Sequence, residues 1–214
     1  MLTSLAATGL LSLFTLGPIT PCVDGIPVPV PVNDQLQEMY ESGRSYTDFL
    51  GNATRRAELW HGNTEKAEGI DPALIARARS VAGSWKFLAV AIDACSDSVS
   101  TIPYLARLVA MVDGLDMRVV DPVTGRSIME SHPTRDGRAS TPTVLLLDEH
   151  FEEAGCFIER PPELKTWILE EAFSSEEIYP RKMAWYDEDA GHHTVRAFVE
   201  MLEAAVAGGE ALCR

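Results

Sequence analysis

Residues 87–98 read FLAVAIDACSDS, the most informative segment of the sequence for its fold class. The apolar run at 87–92 predicts a buried strand, and Cys95 follows it after a short turn. Apolar residues then recur at helical spacing, at Ile102, Leu105, Leu108, Val109 and Val112. This order places Cys95 at a strand-to-helix turn, where free amides and the positive end of the helix dipole can stabilise a thiolate.

Ser98 occupies the position at which a dithiol enzyme carries its second cysteine, so the segment offers one sulfur. The other cysteines are Cys22, Cys156 and Cys213, and none forms the close Cys-X-X-Cys pair typical of zinc or dithiol sites. We expect each of these cysteines to be packed or incidental, and the sequence identifies none as a resolving thiol.

The chain has 214 residues, 46% of them hydrophobic, which is enough for one substantial core. Its formal charge of -14 argues against a nucleic-acid surface, because phosphate binding needs clustered Lys and Arg. Proteins or small molecules are the expected partners. The sequence predicts no particular oligomeric state.

Residues 1–32 form an apolar segment and a proline-rich linker, and the folded domain is expected to span residues 33–214. No Lys or Arg precedes the apolar run, and no convincing cleavage site follows it. The run is too short and too interrupted to predict a stable membrane span. An atypical export signal and a mobile tail are both open, with a cytoplasmic location favoured slightly over export.

Hydrophobic patterns alternate in type along the rest of the chain. After short N-terminal helices, Asp71-Pro72 predicts a helix start and Gly83 its end. Strands are predicted at 86–92, 117–121, 143–148 and 154–159, helices at 97–112 and 194–207 and from Pro162, and a helical or irregular piece at 123–132. Too few residues join the last two strands for a crossover helix, so we expect an antiparallel hairpin in a mixed sheet.

The order of these elements, together with several short motifs, resembles bacterial members of the thioredoxin-like superfamily. The motifs are Asp93-Ala94-Cys95-Ser96-Asp97-Ser98, Ile102-Pro103, Thr141-Pro142-Thr143, Arg160-Pro161 and Ala184-Trp185-Tyr186. The resemblance covers about residues 34–205. It implies an α/β fold with a thioredoxin-like mixed parallel and antiparallel sheet, flanked by helices and extended by helices at both ends.

The resemblance also implies roles for individual residues. Cys95 would be the catalytic nucleophile, within an active-site turn made by Asp93, Ala94, Ser96, Asp97 and Ser98. Pro142 would be cis and would lie against this turn, while Thr141 would offer its backbone to an extended substrate. No cofactor is implied.

The active-site turn departs from relatives whose segment is similar to Asp-Trp-Cys-Gly-Asp-Ser. Ala94 stands where they have tryptophan, and Ser96 stands where they have glycine. Asp93 and Asp97 place negative charge beside the sulfur, which we expect to oppose thiolate formation. Pro103 removes a helical donor and is expected to bend its helix.

Rival sites lack a defining motif. His192-His193 and an acidic hairpin group do not form a zinc motif, and no metal site is predicted. The hairpin group consists of Asp148, Glu149, His150, Glu152 and Glu153. Three serines, Ser84, Ser98 and Ser140, lack the Gly-X-Ser-X-Gly setting of an activated nucleophile. The residues Trp60, His61 and Trp185-Tyr186 could line a groove near the thiol, but we expect the aromatic ones to pack in the core.

Two functional classes fit the sequence. In the first, Cys95 is the single nucleophile of a monothiol thiol-disulfide oxidoreductase, which forms mixed disulfides with a protein or a low-molecular-weight thiol. In the second, the fold is a redox-inactive binding or chaperone-like module in which Cys95 has no reaction. The reactivity of Cys95 discriminates between these two classes.

Overall fold

The computed structural model describes residues 33–81, 83–208 and 211–214, together with the backbone of Cys22–Val23 and Ile26–Pro27. These two short segments, β1 and β2, pair antiparallel with each other. The interpretations of the rest of residues 1–32, as an export signal, a tail or a linker, lie outside the described residues. Among the described helices, none has the length and apolar character that a membrane crossing requires.

Four α-helices and a 3-10 turn precede the central sheet. They are α1 (Asn33–Ser42), α2 (Tyr46–Gly51), α3 (Ala57–Lys66), the 3-10 turn Ala67–Gly69 and α4 (Pro72–Arg79). Asp71 caps α4 by accepting from the Ala73 amide at 2.8 Å, as its position before Pro72 predicts. The prediction that α4 runs to Gly83 is wrong, because the helix ends at Arg79 with Ser80 as its C-cap, whose hydroxyl donates to the Arg77 carbonyl.

The central region alternates strands and helices. Its elements are β3 (Trp85–Val90), α5 (Ser96–Met111), β4 (Leu115–Val120), α6 (Arg126–Ser131), β5 (Thr143–Leu147) and β6 (Glu153–Ile158), followed by α7 (Pro162–Glu171), α8 (Ser175–Asp189), α9 (His192–Val206) and β7 (Leu212–Cys213). The sheet order is β4-β3-β5-β6-β7. Pairing is parallel for β3 with β4 and for β6 with β7, and antiparallel for the others, so the predicted mixed sheet and hairpin are confirmed.

Alternate residues of the central strands face two separate cores. Phe87 and Phe157 face the side covered by α5 and α9, where both rings pack against Phe198. Leu88 and Leu145 face the other side, which α1 and α6 cover. Both faces of β3 and β5 are therefore buried, which explains why their sequences are continuous apolar runs instead of alternating ones.

Pro103 lies inside α5 and cannot donate a hydrogen bond to the Val99 carbonyl. The buried side chain of Asn63 takes over this role and donates to that carbonyl at 2.8 Å. This contact joins α3 to α5 in the first turns of α5. Because Pro103 leaves the Val99 carbonyl free for Asn63, the proline also helps to hold α3 against α5 near Cys95.

Cys156 and Cys213 form a disulfide that joins β6 to β7, with their Cα atoms 4.3 Å apart. The expectation that these two cysteines are merely packed or incidental is therefore wrong. The two cysteines are 57 positions apart and meet only because β6 and β7 pair in parallel, so no short spacing in the sequence indicates the disulfide. The disulfide also means that neither cysteine is free to attack a bond at Cys95 in this structure.

Candidate active site

Cys95 occupies the N-cap of α5, at the turn that follows β3. Its sulfur accepts a hydrogen bond from the Ser98 amide at 3.4 Å, and its carbonyl accepts from the Val99 amide at 3.1 Å. The side chain is partly exposed, and among the described cysteines it is the only free thiol. A helix-end amide directed at an accessible sulfur is the arrangement that favours a nucleophilic thiolate.

The Thr141–Pro142 peptide bond is cis and lies against the cysteine turn. The Cys95 thiol donates to the Thr141 carbonyl at 3.1 Å, so the sulfur and the proline segment are on the same side of the sheet. The Pro142 carbonyl accepts from the Glu159 amide at 2.8 Å, which anchors the segment to the end of β6. Both residues predicted to bind substrate, Thr141 and Pro142, are thus brought next to Cys95.

Asp97 points into a buried cluster of polar partners. Its carboxylate receives Lys182 Nζ at 2.7 Å, Arg160 Nε at 3.0 Å and the Tyr186 hydroxyl at 3.0 Å, and the residue is only 5% exposed. Lys182 also donates to Ser96 at 3.0 Å. Burial, followed by the negative charge of Asp97, raises the pKa of Tyr186 well above its usual value, so it stays a donor.

Asp93 is engaged by backbone amides. Its carboxylate accepts from the amides of Thr54 and Arg55, each at 2.9 Å. Burial would raise the pKa of Asp93, but these hydrogen bonds outweigh it and hold the pKa below the usual value. Cations or amides thus partner both carboxylates, while the expectation that Asp93 and Asp97 oppose thiolate formation at Cys95 stays a prediction.

Two further side chains fix the backbone before Cys95. The Trp60 indole donates to the Asp93 carbonyl at 3.0 Å, and the Arg56 guanidinium donates to the Ala94 carbonyl at 2.6 Å. Trp60 is fully buried, so the expectation of core packing is confirmed, with this extra contact. Arg56 also places a positive charge beside the turn where the sequence showed only acidic neighbours.

Ser98 is fully buried, and its hydroxyl has no hydrogen-bond partner. Its side chain lies in the interior one turn along α5 from Cys95, and an oxygen there cannot attack a mixed disulfide as a thiol would. A cleft of about 200 Å³ opens beside the turn, bordered by the exposed side chain of Ile92 and by Asp93. The site therefore has one partly exposed sulfur, and a small cleft lies beside the start of its turn.

The family model described as Thioredoxin matches residues 43–176. The chain belongs to the thioredoxin family. The order of β3, the cysteine turn, α5 and the cis-proline segment in this chain is the order expected from the resemblance to that family. A search of curated proteins finds no match.

Two solved structures share the fold of this thioredoxin-family protein. A protein of unknown function from Pseudomonas aeruginosa has 19% identity and a TM-score of 0.65, with 79% of this chain and 97% of that one covered. An HIV epitope-scaffold has 18% identity and a TM-score of 0.64, with 78% of this chain and 96% of that one covered. These likenesses show the fold and carry nothing about the reaction.

The histidines and acidic residues at rival sites have structural contacts. His193, in the first turn of α9, pairs with Asp189 at the end of α8. Asp148 accepts from the amides of His150 and Glu152, each at 2.8 Å, and so forms the hairpin turn. The described residues hold one group with three or more metal-binding side chains close together. It consists of His132, Glu153, Cys156 and Cys213. The sequence patterns placed Glu153 in an acidic cluster and gave Cys156 and Cys213 no metal-binding spacing, and they did not include His132 in either group.

Proposed function

We propose that this thioredoxin-family protein performs thiol-disulfide exchange through Cys95 alone. The observation that carries the proposal is the position of the Cys95 sulfur. It receives the Ser98 amide at 3.4 Å and lies 3.1 Å from the carbonyl that precedes the cis proline. A partly exposed thiol held between a helix end and a backbone edge has both the activation and the access that a nucleophile needs.

The proposed reaction has two exchange steps. The Cys95 thiolate attacks one sulfur of a substrate disulfide, forms a mixed disulfide and releases the other sulfur as a thiolate. A second thiol, from a protein or a low-molecular-weight compound, then attacks the mixed disulfide and regenerates Cys95. This outside thiol is required because Ser98 has no sulfur and the Cys156–Cys213 pair is already joined.

Substrate docking would alter the surroundings of the sulfur. An extended peptide that pairs with the backbone of Thr141 would take the carbonyl that now accepts the Cys95 hydrogen. The Ser98 amide would then be the remaining backbone contact of the sulfur, and an amide donor favours the thiolate. Under this proposal, docking and activation of Cys95 are coupled.

The rate of alkylation tests the proposal. In a Cys22→Ser variant with the disulfide intact, Cys95 is the remaining free thiol. Iodoacetamide at neutral pH is expected to modify the folded protein faster than the same chain unfolded in urea, because the helix end stabilises the thiolate. Cys95→Ser is the control and should take up no label. A folded protein that reacts much more slowly than the unfolded chain would contradict the proposal.

One observation favours a redox-inactive binding module as the second candidate. The Cys95 thiol donates its hydrogen to the Thr141 carbonyl, and only the protonated form can make this contact. In that case the cis-proline edge and the cleft beside Ile92 would bind a partner without chemistry. Slow alkylation of folded protein, together with partner binding that survives Cys95→Ser, would favour this second candidate.

A further inference from the structure

Four potential metal ligands converge on the face of the sheet that α6 covers. They are His132 at the end of α6, Glu153 and Cys156 on β6, and Cys213 on β7, and their ligand atoms all lie within 4.8 Å of one another. The side chains of His132 and Glu153 are 13% and 29% exposed. This cluster involves none of the residues that contact Cys95, so it is a separate site.

A register shift in β6 creates the cluster. Glu153 pairs with Leu147 and Gly155 pairs with Leu146, which leaves Ala154 as the additional residue. Without this bulge, Glu153 and Cys156 would point to opposite faces, since side chains alternate along a strand. The bulge therefore turns the carboxylate to the face where Cys156 and Cys213 lie.

The Nδ1 nitrogen of His132 fixes the orientation of the imidazole ring. Nδ1 lies 2.9 Å from the Ile128 carbonyl, which can only accept, so Nδ1 carries a proton. Nε2 donates to the Glu153 carboxylate at 2.9 Å in this structure, so both nitrogens of the ring have an acceptor, and Nε2 becomes a metal ligand once its proton is displaced. A backbone carbonyl behind a histidine is the arrangement that commonly orients a metal ligand.

We propose that reduction of the Cys156–Cys213 disulfide produces a binding site for one zinc ion. Two thiolates, an imidazole and a carboxylate make up a donor set that suits tetrahedral zinc. Zinc bonds of the usual lengths place tetrahedral ligands about 3.3–3.8 Å apart, which is compatible with a cluster of this size. The two sulfurs are bonded to each other in the disulfide and cannot then bind zinc as thiolates, so disulfide and metal exclude each other.

The chemistry balances with a small-molecule thiol as the reductant. Two such thiols reduce the disulfide to the Cys156 and Cys213 thiols and leave as one small-molecule disulfide. Zinc then forms a bond to each sulfur and displaces one proton from each, and it also displaces the Nε2 proton that His132 donates to Glu153, so that the imidazole and the carboxylate supply the other two ligands and the protons pass to solvent. The metal would join β6 to β7 in the reduced protein, at the place where the disulfide joins them in the oxidised protein.

Metal titration of the full chain tests this inference. A Cys22→Ser/Cys95→Ser background leaves Cys156 and Cys213 as the remaining thiols. After reduction and removal of the reductant without oxygen, cobalt should give the charge-transfer and ligand-field bands of a tetrahedral thiolate site. Zinc, measured by competition with a chromophoric chelator, should bind at one ion per chain. The oxidised protein should bind neither metal.

Single substitutions assign the ligands. His132→Ala, Glu153→Gln and Cys213→Ser are each expected to weaken zinc binding about 10-fold or more. His150→Ala, on the exposed turn of the same hairpin, should leave zinc affinity unchanged. Cys213 lies on the two-residue terminal strand, so its serine variant keeps the test valid if His132→Ala fails to fold. Equal zinc binding by oxidised and reduced protein, or unchanged affinity in Cys213→Ser, would overturn the inference.

Discussion

At residue 98 this site has a serine oxygen where a dithiol site has a cysteine sulfur. The buried hydroxyl lacks a partner, and its backbone amide already contacts the Cys95 sulfur. A sulfur at this position would meet no polar group that it must displace. Under the proposed one-thiol mechanism, the limitation therefore lies in the identity of residue 98 and not in the surrounding structure.

We expect the wild type to reduce insulin-type disulfides only weakly and Ser98→Cys to raise this reduction well above the wild-type level. The new thiol would lie one helical turn from Cys95 and could attack its mixed disulfide. Ser100→Cys is a matched control, because Ser100 is also a buried serine of α5 but faces elsewhere along the helix. Equal activity of the two variants, or strong activity in Cys95→Ser, would contradict the one-thiol account.

Helix α8 supplies one of the two cations that pair with Asp97 in the first turn of α5, and Arg160 is the other. Lys182 and Tyr186 of α8 meet Asp97, which is 85 residues away from Lys182 in sequence. The sequence patterns missed α8 because it is polar on most of its surface and contains Pro180. Its start nevertheless has a recognisable local feature, the capping box formed by Ser174 and Glu177.

Lys182→Met is expected to lower the free energy of unfolding by about 3 kcal/mol, because it leaves the buried Asp97 charge with fewer partners. Lys66→Met is the control, since Lys66 pairs with Asp187 on the surface and its loss should cost about 0–1 kcal/mol. Urea unfolding of both variants measures the difference. Similar losses in the two variants would show that the Asp97 cluster is not a stabilising contact.

The order of strands and helices follows from hydrophobic patterns, whereas the contacts between distant elements do not. Buried runs such as that of β3 predict strands within one or two residues of the observed bounds. The Asp97 cluster, the Arg56 contact with Ala94 and the Cys156–Cys213 disulfide depend on tertiary pairing, which local periodicity does not encode. Cys95 and the cis Pro142 were predictable because a family resemblance supplied their relation.

At the scale of the whole molecule, the stability should depend on pH through Lys165. Burial, assisted by Arg160 and opposed by Glu159, lowers the pKa of Lys165 from 10.5 to about 8. Below this value both the folded and unfolded chains carry the proton, and the cost of the half-buried charge is fully present. Between the two pKa values the unfolded state binds more protons, so the free energy of unfolding rises with pH.

Lys165→Met should accordingly stabilise the protein more at about pH 7 than at about pH 10, where the wild-type lysine has lost its charge. Urea midpoints of the wild type and the variant at both pH values give this difference. For Lys66→Met, at a surface position, the difference in stability from the wild type should not decrease in this way between the two pH values. If the stability difference between Lys165→Met and the wild type is the same at both pH values, Lys165 is not the source of the pH dependence.

The domain boundary at residue 33 is also a property of the whole chain. We propose that residues 33–214 fold without residues 1–32, because the described cores are built from elements that begin at α1. Deleting residues 1–32 is expected to leave the unfolding temperature nearly unchanged in differential scanning calorimetry. A drop of several degrees would show that the removed segment contributes to the folded domain.

Mixed-disulfide formation tests the central claim most directly. The Cys22→Ser protein, with its internal disulfide intact, is incubated with glutathione disulfide at neutral pH and its intact mass is measured. We predict one glutathione adduct per chain, located at Cys95 by peptide mapping, released by added thiol and absent in Cys95→Ser. Folded protein that acquires no adduct, under conditions in which the urea-unfolded chain does, would contradict a nucleophilic role for Cys95.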